Sequence, residues 1–127
     1  MTPVEMTWDG DDGGELTDPT GPDLERAVRD LDGSGRTIVT LQGEAGYLAV
    51  GGSATSGLVV YAELADGAFH SLLSPGTTST ETVVVVAGGQ PGDYEARLVT
   101  TVDVALRAAS RFLESGTLAS DLEWEES

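Results

Sequence analysis

The sequence predicts an α+β fold, an antiparallel sheet of about five to six strands with two helices packed on one face. Three features lead there. The middle of the chain is a series of short β-branched or aromatic runs, joined by turns too short for parallel crossovers. Two stretches with helical periodicity stand before and after that series instead of alternating with it. No internal repeat or linker divides the 127 residues, so a single domain over 1–127 is expected.

Val4–Trp8 alternates apolar and polar and reads as a first strand. Residues 9–19 are acidic and rich in turn formers, which predicts a solvated loop. A helix follows. Thr20 or Gly21 can cap it, Pro22 suits its first turn, and Asp23 and Glu25 favour its positive end. Leu24, Ala27, Val28 and Leu31 form one apolar stripe, and Gly33 and Gly35 stop the helix.

Strands are expected at residues 37–42, 47–50, 58–64, 69–73 and 82–87, each bounded by glycine-, serine- or proline-bearing turns. A further extended piece, 94–99, leads into the clearest element of the chain. There Thr101 is a good N-cap, and Val102, Ala105, Leu106, Ala109, Phe112 and Leu113 make a stripe over three turns. Arg107 and Arg111 take the wet face, and Gly116 supplies a left-handed stop.

Composition narrows the function. Asp and Glu number 22 against six positive side chains, all Arg, for a net charge of −16. Such a domain repels phosphate and anionic lipid, so neither nucleic acid nor membrane is expected as a partner. A cationic partner is favoured, although an acidic proteome from a GC-rich or salt-tolerant bacterium fits the same numbers. Cysteine is absent, which excludes a disulfide framework, a thiolate zinc site and a cysteine nucleophile. The N-terminus has no basic and apolar leader, and the longest apolar run, Val83–Ala87, is far too short to span a bilayer. A cytoplasmic, monomeric protein is expected.

No motif carries chemistry. His70 is solitary, without a nucleophile or a second histidine at useful spacing, and reads as structural or surface. A calcium loop starting at Asp9 places Gly14 correctly, but Gly13 and Thr20 stand where oxygen ligands are needed and no helix precedes it. The Gly52–Gly57 segment has the outer glycines of a phosphate loop, yet Leu58 occupies the lysine position and Val59 cannot ligate magnesium. Carboxylates such as Glu63, Asp66 and Asp103 have no spacing that promotes them to acid or base. Neither catalysis nor a cofactor is expected.

The densest acidic clusters are Asp9, Asp11, Asp12 and Glu15 in the first loop, and Glu123 and Glu125 around Trp124 in the tail. These seven residues are the candidate contacts for a basic partner. Trp124 reads first as an indole closing the edge of the core, with its flanking carboxylates turned to water; its other reading is an interface anchor.

The order of features resembles the first-numbered immunity-protein family of bacterial polymorphic toxin systems. That family has an N-terminal tryptophan strand and a helix, then strands. It ends in a helix of the form Leu-x-x-Ala-(x)-Phe-hydrophobic-x-x-Gly and a tryptophan between acids. The matching positions are Trp8, the run Tyr47-Leu48-Ala49-Val50-Gly51, then Ala105, Ala109, Phe112, Leu113 and Gly116, and finally Leu122-Glu123-Trp124-Glu125. Ala119-Ser120 depart from it, where many relatives carry a proline.

The resemblance implies a non-enzymatic inhibitor that occludes a cognate toxin domain, often a nucleic-acid deaminase. A toxin acting on nucleic acid presents a basic groove, and a polyanionic domain suits it. The competing readings are an acidic interaction module, such as a secretion chaperone or adaptor, and an enzyme whose site no motif marks. A neighbouring gene for a secreted toxin favours the inhibitor, and a secretion-apparatus operon the acidic interaction module.

Overall fold

Seven strands assemble into one antiparallel sheet in the computed structural model, which describes residues 3–11 and 13–126. In chain order the strands are β1 (Glu5–Trp8), β2 (Gly14–Thr17), β3 (Ile38–Gly43), β4 (Gly46–Ser53), β5 (Gly57–Leu64), β6 (Phe69–Leu73), β7 (Thr82–Ala87), β8 (Gln90–Glu95) and β9 (Glu123–Glu126). The main sheet runs β2-β1-β3-β4-β5-β6-β9, every pair antiparallel. Helix α1 spans Gly21–Arg29 and α2 spans Val102–Ser115.

Both helices end as their caps dictate. At α1, the Thr20 hydroxyl accepts from the Asp23 amide (3.2 Å) and the Asp23 carboxylate accepts from the Thr20 amide (3.0 Å), a reciprocal capping box. The helix stops at Arg29, a turn before Gly33, with Leu31 still buried beyond it. At α2, Thr101 caps the start, and Gly116, at φ 70°, donates its N–H to the Phe112 carbonyl.

The helices cover one face of the main sheet. Met6, Val39, Leu41, Leu48, Val50, Val60, Ala62 and Leu72 lie on that face and form one cluster with Leu24, Ala27 and Val28 of α1 and Ala105, Ala108, Ala109 and Phe112 of α2. The three alanines of α2 let its backbone lie close to the strands. Ala108 is an addition to the expected stripe, while Val102, Leu106 and Leu113 sit half-buried at its margins. No helix among the described residues is long and apolar enough to cross a membrane.

Three elements depart from expectation. The loop expected over 9–19 contains β2, a fully exposed strand that exists by pairing with the free edge of β1. Thr82–Ala87 does not join the main sheet. It pairs with β8 in a separate hairpin laid over the opposite face, and Gly51 is why it fits: a Cβ there would stand 2.5 Å from the Cβ of Ala87. The extended piece expected over 94–99 is the end of β8 followed by a short 3-10 turn, Ala96–Leu98. With β2 and β9 added, the main sheet exceeds the expected five to six strands by one.

Candidate functional site

Glu15 of the first acidic cluster and the tail cluster lie on opposite edges of the main sheet. The first loop joins β1 to edge strand β2, and the tail is edge strand β9. Six strand-to-strand steps separate them, about 29 Å along the sheet at ~4.8 Å per step. Carboxylates on both edges also discourage another strand from adding there.

Asp9 is committed to the fold. Its carboxylate accepts from the amides of Thr37 (2.7 Å) and Ile38 (3.0 Å) and from the Thr37 hydroxyl. That hydroxyl in turn accepts from the Gly89 amide at 2.8 Å, so one buried threonine links the first loop, the start of β3 and the turn of the β7–β8 hairpin. Partial burial acts to raise the Asp9 carboxyl, but the hydrogen bonds from Thr37 and Ile38 outweigh it and hold it below its ordinary range.

Asp11 and Glu15 are exposed, and Asp12 lies outside the described residues. Asp11 does not stand alone. It lines a groove of about 360 Å³ with Asp30, Asp32, Gly35 and Arg36. Within it Asp30 pairs with Arg36 at 3.2 Å. The Asp32 carboxylate accepts from the amides of Ser34, Gly35 and Arg36, which lower its pKa, the Arg36 bond foremost. This convergence of the first loop with the end of α1 lies more than 18 residues apart in sequence, and local spacing carries no sign of it.

The tail divides in the same way. The Trp124 indole donates to the Ala119 carbonyl at 3.1 Å and packs half-buried on the core. Glu125, expected to face water, is held by Arg97 at 2.5 and 3.3 Å, and Arg97 also grips Glu95 at 2.6 Å. The Glu125 bond, then the Glu95 bond, raises the Arg97 pKa, and the same guanidinium lowers that of Glu125. This pair ties the 3-10 turn to β9. Glu123 remains exposed, at the rim of a groove of about 490 Å³ formed with Leu73–Thr78, Arg97 and Asp121–Leu122.

Chemistry is sparse elsewhere. His70 is half-buried on the helix-packed face, opposite Ala62. The Gly52–Gly57 segment is the β4–β5 turn, where the Ser53 hydroxyl accepts from the amides of Thr55 and Ser56. Among the described residues no group of three or more His, Asp or Glu stands where it could hold a metal ion.

One feature escaped the acidic-cluster reading altogether. On the face away from the helices Tyr47, Tyr61 and Phe69 form a contiguous row. Tyr47 meets Tyr61 edge-on at 6.3 Å, and Tyr61 stacks on Phe69 at 5.8 Å. All three are half-buried, and Glu63 lies exposed between Tyr47 and Phe69 in the strand register. Strand alternation carried that signal, because residues 47, 61, 63 and 69 share a parity opposite to the buried Leu48 and Ala62 once the turns set the register.

No curated protein and no solved structure matches the chain. A family model described as immunity protein Imm1 matches residues 12–126. That span holds both helices and every strand but β1, and of the residues carrying the sequence resemblance only Trp8 falls outside it. The chain belongs to the Imm1 family of immunity proteins.

Proposed function

We propose that the chain acts in the cytoplasm as a monomeric, non-enzymatic inhibitor that binds a cognate toxin domain, a nucleic-acid deaminase, and occludes its basic active-site region. The family match over residues 12–126 carries the reading. The charge supports its electrostatic half: at −16, with exposed carboxylates on both sheet edges, the domain attracts a basic groove from any approach. Asp11, Glu15 and Glu123 are the steering charges best placed for this, all exposed, Asp11 beside the end of α1 and the other two on the edge strands. Asp9 fixes the loop, and Glu125 and Trp124 fix the tail, that carry these charges.

Co-expression with the C-terminal domain of the toxin encoded beside this gene tests the reading. Cells carrying both are expected to survive, and cells carrying the toxin domain alone to die. Killing undiminished by this chain overturns the reading.

A further inference from the structure

We infer that the aromatic face built from Tyr47, Tyr61 and Phe69, with Glu63 among them, is the surface on which an arginine-bearing segment of the inhibited partner docks. The inference rests on the inhibitor reading and names its contact surface. The three rings lie on adjacent strands β4, β5 and β6, on the side the helices leave open. The β7–β8 hairpin covers the Gly51 end of that side and leaves the rings half-buried at its flank.

The chemistry selects the partner. Glu63 stands directly across from Tyr47 on one side and Phe69 on the other, with Cβ separations of about 5 Å expected for such pairs. A planar guanidinium can stack on a ring there while its N–H groups reach the carboxylate, a combination that an ammonium matches poorly. Glu63 takes part in none of the ion pairs found among the described residues. Arg97, by contrast, is engaged by Glu95 and Glu125. Along the same register row Glu5 adds a further carboxylate beyond Gln42 and Tyr47. Half-buried rings beside an exposed carboxylate, in a chain of charge −16, complement a cationic segment in chemistry and sign. Labour is then divided: edge carboxylates draw the partner in, and the aromatic face holds it.

Wild type, Tyr47→Ala, Phe69→Ala and Glu63→Gln are compared for dissociation from the toxin domain encoded beside this gene. Each ring truncation is expected to speed dissociation about tenfold or more, and Glu63→Gln several-fold, with little change in association rate. Dissociation within about twofold of wild type for all three overturns the inference while leaving the inhibitor reading standing. If a ring variant loses its fold by circular dichroism, the exposed Glu63→Gln decides. If wild type does not bind the toxin domain, the inhibitor reading falls, and a second arm judges the surface by itself. Hexa-arginine is titrated into the wild-type chain while backbone-amide and ring-proton resonances are followed. Shifts centred on Tyr47, Tyr61 and Phe69, larger than those with hexa-lysine, uphold the surface; shifts confined to the edge carboxylates overturn it.

Discussion

On β4 and β5, Leu48, Val50, Val60 and Ala62 turn to the helices and are at most 2% exposed. One residue away Tyr47, Tyr61 and Glu63 look out from the other face, two half-buried and one exposed. The two faces are written by alternate letters of the same strands. The first is closed by the chain's own helices, so its chemistry is set by packing: aliphatic side chains, with alanines on α2 to bring the helix close. The second is covered in part, by the β7–β8 hairpin over Gly51 and by the 3-10 turn, whose Arg97 holds Glu125 at the β9 edge. It carries rings and carboxylates, a composition that suits a partner and not a core. Acidic residues obey the same division. Asp9 and Glu125 are absorbed into internal hydrogen bonds, whereas Asp11, Glu15 and Glu123 stay free to act at a distance.

The comparison breaks most readily at the closed face. Phe112→Ala removes the largest of the fully buried side chains and should cost about 3–5 kcal/mol, much of the ~5–15 kcal/mol that holds a domain of this size. Thermal unfolding checks it, and a midpoint within about two degrees of wild type means α2 does not anchor the core.

Asp9 sharpens the comparison, because it is an acid that behaves as a core residue. Asp9→Ala leaves the Thr37 hydroxyl and two amides without their acceptor and should cost about 1–3 kcal/mol, read by urea denaturation. The pH dependence has a definite sign. Asp9 and Glu125 both have folded pKa values below their ordinary 3.8 and 4.5. Their contribution is therefore fully present above those ordinary values and is lost as pH falls through the lowered folded ones. Wild type should lose stability on acidification below about pH 5, and Asp9→Ala should lose less over the same range.

The smallest effect on stability belongs to the free acids. Converting Asp11 and Glu15 to Asn and Gln, or Glu123 to Gln, should move stability by no more than about 0.5 kcal/mol. Association with the toxin domain should nevertheless slow, and its salt dependence flatten. Rates measured at two salt concentrations check this. Unchanged rates and slopes assign these acids to solubility alone.

Local elements were legible in the sequence where periodicity and caps act over a few residues. Thr101, the apolar stripe of α2 and Gly116 mark that helix unaided, and β6 and β7 have the expected bounds. Pairing partners were not legible. Gly-Glu-Leu-Thr has no apolar alternation and becomes β2 only because β1 offers an edge. Thr82–Ala87 reads the same in either sheet, and its departure from the main one depends on a glycine 36 residues earlier. Gln90–Glu95 carries Pro91 and Gly92 and resembles a turn, yet a two-stranded hairpin tolerates a proline on its open side. At the candidate site, the acidity was visible from composition, but its division was not. Whether a carboxylate is free or bonded depends on contacts such as Asp9 with Thr37, 28 residues apart.

Inhibition by occupancy is the central claim, and a titration of toxin activity with this chain tests it most directly. With the toxin domain held at a concentration well above the dissociation constant, activity should fall linearly and vanish at one equivalent, unchanged by longer incubation. Activity that persists beyond several equivalents, or that disappears progressively at a small fraction of one equivalent, contradicts a stoichiometric inhibitor.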